Sequence, residues 1–205
     1  MGITSFYFLC FFAVLLTVYY CIPRKLQWGF LLLGSVAYCL LAGQGILILY
    51  PLVSVGASYL GTKALARAPQ EAVKKRRGIL AVTILVNIGI LFALKYVNFF
   101  INTVDGVVHL LGGPDELIAG VDFLVPLGVS FYTFSLLGYV IDVYYGLADA
   151  QKNFGKLALY GLYFPNLISG PILKYREHAE QFFAPHAFDY KQVTQGLQRM
   201  VWGFF

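Results

Sequence analysis

Charge is what this sequence has least of. Only 12% of its 205 residues are Asp, Glu, Lys or Arg, about half the share of an ordinary water-soluble domain. With 59% hydrophobic residues, a soluble fold of this length could not hide its apolar surface, so the bilayer is the natural solvent. Cysteine is scarce too. Cys10, Cys21 and Cys39 lie in or beside apolar runs, with no CxxC or Cys/His spacing, which argues against a metal site and for small buried hydrophobes. No Gly-rich phosphate loop, GxSxG or HExxH occurs. There is no internal repeat and no low-complexity tract. No Lys or Arg precedes Arg24, so the positive start of a signal peptide is missing, and the first apolar run reads as a retained helix. The net charge of +5 is small and comes in clusters, without the soluble basic face of a nucleic-acid binder.

What is abundant is aromatic and apolar: 18 Phe and 15 Tyr suit belts at membrane interfaces. Residues 4–22 form an uninterrupted run. Helical rise carries it about 28 Å, close to a hydrocarbon core of about 30 Å. Further runs at 28–42, 46–61, 78–101 and 123–144 give an expectation of an all-α polytopic membrane protein with about five full spans. Between the third and fourth, residues 62–77 hold Lys63, Arg67, Lys74, Lys75, Arg76 and Arg77 against the acid Glu71. Residues 102–122 hold Asp105, Asp115, Glu116 and Asp122 with a turn signal at Gly112-Gly113-Pro114, and no Lys or Arg. The positive-inside rule puts the basic loop in the cytoplasm of a multi-pass cell-membrane protein. Arg24, Lys25, Lys152 and Lys156 then fall inside, and Met1 and the acidic loop outside.

Residues 157–172 break the alternation. The run is short and interrupted by Pro165, Gly170 and Pro171. A full crossing would put Lys174, Arg176 and Lys191 outside. The expectation is a broken, re-entrant element lining an internal cavity, since irregular backbone at membrane depth needs protein or a water cavity around it. An ordinary kinked helix is the alternative. Residues 173–183 read as a helix along the cytoplasmic interface. Another helix starts at Tyr190 and turns apolar at Met200-Val201-Trp202, so the chain reads as one transmembrane domain cut short.

Few residues could carry chemistry. Lys95 is placed to snorkel outward. Asp142 sits at the inner membrane edge, solvated or anchoring a neighbouring cation. These two lie at opposite faces and do not pair. Asn87 is expected to bond between helices. His109 falls in the outer loop, and His178 and His186 in the polar cytoplasmic stretch, where a solvated surface role outweighs that of general base.

Residues 125–146 read VPLGVSFYTFSLLGYVIDVYYG and residues 163–176 read YFPNLISGPILKYR. Together they resemble the membrane-bound O-acyltransferase family, and within it the branch of alginate O-acetyltransferase membrane subunits and teichoic-acid D-alanylation membrane proteins. The basic residues before Gly78 and the KYVNFF stretch at 95–100 are similar to that branch as well. Tyr145 stands where the branch often has Arg. The resemblance covers the family's N-terminal part, so its catalytic histidine, which lies in later helices, has no counterpart here. Pro126, Ser130, Phe131, Tyr132, Asp142, Tyr144, Pro165, Gly170, Pro171 and Arg176 match the motifs and inherit only scaffold or channel-lining roles.

The resemblance implies an O-acyltransferase moving an acyl, most simply acetyl, group from a cytoplasmic thioester toward hydroxyls of a cell-surface polysaccharide. The donor is acyl-CoA or an acyl carrier protein, with no bound cofactor or metal. Lys174 and Arg176 would attract its phosphates or acidic surface. Membrane lipid and an extracytoplasmic acyltransferase protein are the implied partners. Exopolysaccharide, peptidoglycan and teichoic acid remain as acceptors. The alternatives are an inactive truncated product and a transporter or channel; the missing internal repeat weighs against the latter.

Overall fold

The computed structural model describes residues 5–110, 125–169 and 172–204. Its elements are helical, and no strand occurs among the described residues. Helix α1 (Phe6–Cys21) is capped by Ser5, whose Oγ accepts from Phe8 N at 3.2 Å. It ends at Ile22, which is extended because Pro23 follows. A short 3₁₀ turn leads to α2 (Gln27–Leu41), and a second, Gly45–Ile48, to α3 (Leu49–Arg67). Helices α4 (Val73–Lys95), α5 (Val97–Leu110) and α6 (Val129–Tyr145) follow. Then come α7 (Phe154–Leu162), α8 (Phe164–Ser169), α9 (Tyr175–Phe183) and α10 (Tyr190–Phe204). Asn153 caps α7, its Oδ1 accepting from Gly155 N at 2.8 Å.

The core joins α2, α3, α4, α6 and α7 around Val55, Leu65, Leu136, Tyr139 and Leu157. Small residues bring the axes close. A Cβ on Gly161 of α7 would meet Val55 Cγ2 of α3 at 2.7 Å, and one on Gly61 of α3 would run into the Thr83 side chain of α4. Asn87, fully buried, donates from Nδ2 to Ser58 Oγ across the α3–α4 seam at 3.3 Å and to Thr83 O at 2.9 Å. This is the interhelical bond expected of it.

Several boundaries differ from the sequence expectation. The third apolar run continues as helix to Arg67 and α4 begins at Val73, so the basic "loop" shrinks to residues 68–72. Ala, Leu, Lys and Arg are good helix formers, and the stop is set by Pro69, which forces Ala68 extended (ψ 131°). The fourth run breaks after Lys95, and α5 carries Asp105 and His109 as helical residues rather than loop residues. Asp115, Glu116, Asp122 and the turn at 112–114 lie outside the described residues. The fifth run starts its helix at Val129, because Gly128 before it is left-handed (φ +70°).

Two helical stretches, Gly45–Arg67 and Val73–Lys95, are long and apolar enough to cross a membrane, with mean hydropathies of 1.5 and 2.2. The other long apolar runs fold into shorter helices: 16 residues in α1, 15 in α2 and 17 in α6. That is below the roughly 20 that a straight crossing needs, so among the described residues two helices meet this measure and three of the expected spans fall short of it.

Candidate functional site

The two motifs meet. Gly128, at the head of α6, packs against the backbone of Leu167 in α8. The chain that reaches α8 then turns back: Tyr160 Oη donates to Leu173 O at 2.6 Å, and Tyr175 stands against Tyr160 with ring centroids 5.1 Å apart. Residues 157–169 therefore lead from the end marked by Phe154 to the head of α6, and Leu173 and Tyr175 lie back beside Tyr160. Its break falls at Tyr163 (φ −56°, ψ 111°). Pro165, with no N–H to offer, sits in the first turn of α8, where none is needed. The Phe164 N–H exposed by the break donates to Ser35 Oγ of α2 at 3.4 Å. Gly170 and Pro171 lie outside the described residues.

A cavity of about 690 Å³ opens beside this element, between α1, α2, α8, α9 and the approach to α10. Its apolar part is made by Phe12, Leu16 and Phe164, with Tyr163 and Asn166 beside them. Gln181, His178, His186 and Gln192 form its polar margin. The wall expected from the Pro165 region is thus supplied by its neighbours Phe164 and Asn166. Phe164 is held by Phe8, Phe11 and Tyr38 at centroid distances of 6.2, 5.7 and 5.6 Å.

Sequence reading set the two histidines on the solvated surface; the structure puts both, half-buried, on the cavity margin. His178 Nδ1 lies 3.1 Å from Lys174 O and His186 Nε2 2.6 Å from Gln181 O. A carbonyl only accepts, so each bonded nitrogen carries the proton and leaves its partner nitrogen as an acceptor in the neutral ring.

Gln27 carries no signal in the sequence pattern. It is 2% exposed. Its Oε1 accepts from His186 N at 2.8 Å, and its Nε2 donates to His186 O at 3.0 Å and Tyr19 O at 3.3 Å. One amide thereby fixes the α9–α10 connection, and with it the cavity margin, to the turn between α1 and α2. Replacing Gln27 with Ala leaves these groups without partners, at a cost of about 1–3 kcal/mol. Limited proteolysis should then cut residues 184–189 at least several-fold faster; an unchanged rate would show that the clamp is idle.

A second polar cluster lies between α6, α7 and α9. Tyr139 Oη accepts from Gln151 N at 2.7 Å, and Gln151 Nε2 donates to Tyr175 Oη at 2.9 Å. The Tyr139 and Tyr175 rings lie 4.4 Å apart. Burial pushes the Tyr175 phenol up to about 12, against a smaller lowering by the Gln151 bond. A phenol that ionises near 10 when unfolded and near 12 when folded keeps its proton longer in the folded state. Its stabilisation is therefore full below pH 10 and is lost as pH rises from 10 to 12. Tyr175→Phe should flatten that alkaline decline in a melting-temperature series; an identical slope in both proteins would contradict the assignment.

The remaining motif residues scatter along α6 and α9. Pro126 is buried in the approach to α6. Ser130 Oγ accepts from Lys95 Nζ at 3.3 Å, so Lys95 ties α4 to the head of α6. Phe131 is 37% exposed, whereas Tyr132 is 2% exposed and its hydroxyl has no partner among the described residues. Asp142 is half-buried, twelve residues or about 18 Å of helix from Ser130, and forms no ion pair among the described residues. Tyr144 offers its carbonyl to Arg76 Nη2 at 2.7 Å and its ring to the same guanidinium at 5.5 Å. Lys174 and Arg176 are exposed and share Glu177, at 3.3 and 3.9 Å.

Comparison with known proteins gives one consistent result. The chain is 30% identical over 195 residues to the "Probable alginate O-acetylase AlgI" of Pseudomonas syringae pv. tomato, covering 95% of this chain and 36% of that protein. The protein of the same name from Pseudomonas aeruginosa matches at 30% over 95% of this chain and 36% of its own length. That from Azotobacter vinelandii matches at 29% over 95% of this chain and 38% of its own length. The chain thus spans little more than a third of the curated relatives it matches. No protein-family model and no solved structure matches it.

Proposed function

This chain is a homologue of the proteins named alginate O-acetylase, and from that premise we propose that it is part of a membrane-bound O-acyltransferase acting on a cell-surface polysaccharide. The similarity over 95% of the chain carries the proposal. The α6 and α8 motifs belong to that resemblance. In this reading the apolar helices beyond α3 and α4 also lie in the bilayer, the shorter ones tilted or flanked by the short 3₁₀ turns. The end bearing Arg24, Lys63, Arg67, Lys75 and Lys156 faces the cytoplasm, and the N-terminus faces out.

The reaction needs a hydroxyl oxygen to attack a thioester carbonyl. A C–O bond forms, the C–S bond breaks, and the hydroxyl proton passes through a base to the departing thiolate. Bulk water must be kept out, or hydrolysis competes. The cavity beside α8 suits the donor side of this chemistry. Its volume of about 690 Å³ is ample for a ligand. Its apolar end by Phe12 and Phe164 would take an acyl arm, and its polar margin the carrier end. No residue of this chain is proposed as the general base.

The test is transfer in membranes of the producing cell. Labelled acetyl-CoA and acetylated acyl carrier protein are supplied to inverted vesicles, and alkali-labile ester in polymer is counted with and without the gene. Gene-dependent label from either donor supports the proposal; none from both would sink it. Changing Lys174 and Arg176 together to Ser should raise the donor KM about three- to tenfold with little change in kcat, the scale of two exposed charges. An unchanged KM would remove them from donor attraction.

A further inference from the structure

Away from the cavity, two clefts share a wall where α3 ends and α4 begins. The first, of about 270 Å³, is lined by Lys63 and Arg67 of α3 and Lys75 of α4, over Leu60 and Ile79. The second, of about 460 Å³, continues from Leu60, Lys75 and Ile79 along the α3–α4 seam past Ala57 to Val82 and Val86. Among the described residues these two helices are long and apolar enough to cross a membrane.

The mouth and the groove differ in chemistry. No acidic side chain lines either cleft. Lys63, Arg67 and Lys75 are exposed and unpaired with acids among the described residues. The neighbouring Arg76 is turned inward and already bonded to two carbonyls. Three like charges at one mouth repel one another unless an anion neutralises them. Behind the mouth the groove is apolar, and Gly78 leaves it open: a Cβ there would meet nothing within 4 Å. From Lys75 to Val86 the helix advances about 16 Å, the scale of a fatty acyl tail.

A free phosphate would fill the mouth and leave the groove unused. A neutral lipid would fill the groove and leave the charges unbalanced. We propose that this seam is a binding site for an anionic phospholipid, its phosphate held among Lys63, Arg67 and Lys75 and one acyl tail laid along the α3–α4 groove. The site rests on the reading that α3 and α4 span a bilayer, and it is separate from acyl transfer.

The experiment is native mass spectrometry of the full chain in neutral detergent, titrated with phosphatidylglycerol or phosphatidylcholine of identical tails. Phosphatidylglycerol should be retained at least tenfold more strongly. Lys63→Gln, Arg67→Gln and Lys75→Gln together should abolish the preference. Gly78→Leu, which fills the groove and keeps every charge, should cut phosphatidylglycerol retention at least fivefold. These sites are exposed or face open space, so both variants should elute as the parent does in size exclusion. Equal retention of the two lipids, or phosphatidylglycerol retention unmoved by both variants, overturns the site. Displacement by glycerol 1-phosphate would make it a phosphate site instead, and displacement by an acidic acyl carrier protein a protein-docking face; either overturns the lipid assignment. A chain that stays in solution without detergent overturns the membrane reading itself, whereas a detergent-dependent chain with no lipid preference overturns the site alone.

Discussion

Gly128→Ala is expected to lower stability by about 2–5 kcal/mol. Two costs add. Gly128 has φ +70°, and an L side chain in that region costs about 1–2 kcal/mol. Its Cβ would also sit 2.5 Å from Leu167 O and 2.8 Å from Leu167 Cα. Those are backbone atoms that cannot swing aside, and overpacking of this kind costs about 1–3 kcal/mol. Gly146 provides the control. It has nearly the same φ, +74°, but its Cβ would meet nothing within 4 Å, so Gly146→Ala should cost only the first part. Thermal melting in detergent reads both, and equal losses would show that the α6–α8 contact is loose. The contact holds α8 beside the cavity, so a displaced α8 should also reduce any donor binding there.

The second large effect belongs to Arg76. It is 7% exposed and donates from Nη1 to Leu65 O at 3.2 Å and from Nη2 to Tyr144 O at 2.7 Å. Those carbonyls lie in the last turns of α3 and α6, where helices leave acceptors unpaired and the dipole favours a cation. One guanidinium from the first turn of α4 therefore closes two helix ends. Arg76→Met should cost about 1.5–3 kcal/mol, because charged hydrogen bonds are lost and Tyr144 O loses this donor, whereas Leu65 O keeps Ala68 N at 3.2 Å. Lys75→Met, next door and exposed, should stay within about 0.5 kcal/mol. Arg76→Lys should recover part of the loss, since an ammonium lacks the fork that reaches both acceptors. Equal melting temperatures for the Arg76→Met and Lys75→Met proteins would contradict this role.

Arg76 also shows where sequence reading stops. In the sequence it is one of six basic residues between 62 and 77, and nothing local marks it as the one that turns inward. Its partners are 11 and 68 residues away, and that pairing exists only once α3, α4 and α6 have packed. Gln27 is the same case, with a partner 159 residues distant. What local chemistry dictates was legible. Pro23 stops α1, the 157–172 element breaks at Tyr163, just before Pro165, and Asn87 bonds across the seam as a mid-helix amide should. The helix ends were less so: 62–67 and 73–77 are polar, yet composed of strong helix formers, so charge misled where propensity ruled. The motif residues were found by resemblance, and their placement divides them. The neighbours of Pro165 line the cavity and Gly128 packs on α8 behind them, whereas Ser130, Asp142 and Tyr144 tie or flank α6 along its length. His186 is held at the cavity margin by Gln27, which bonds its backbone and that of Tyr19 in α1, and His178 reaches the margin from α9.

The most direct test of the account is chemical. The gene is deleted in its own host, and base-labile O-acetyl groups on the purified cell-surface polysaccharide are counted by proton NMR. The account predicts that the acetyl signal disappears on deletion and returns with the intact gene, but not with a copy in which Gly128 is replaced by Val. An acetyl content unchanged by deletion would contradict it.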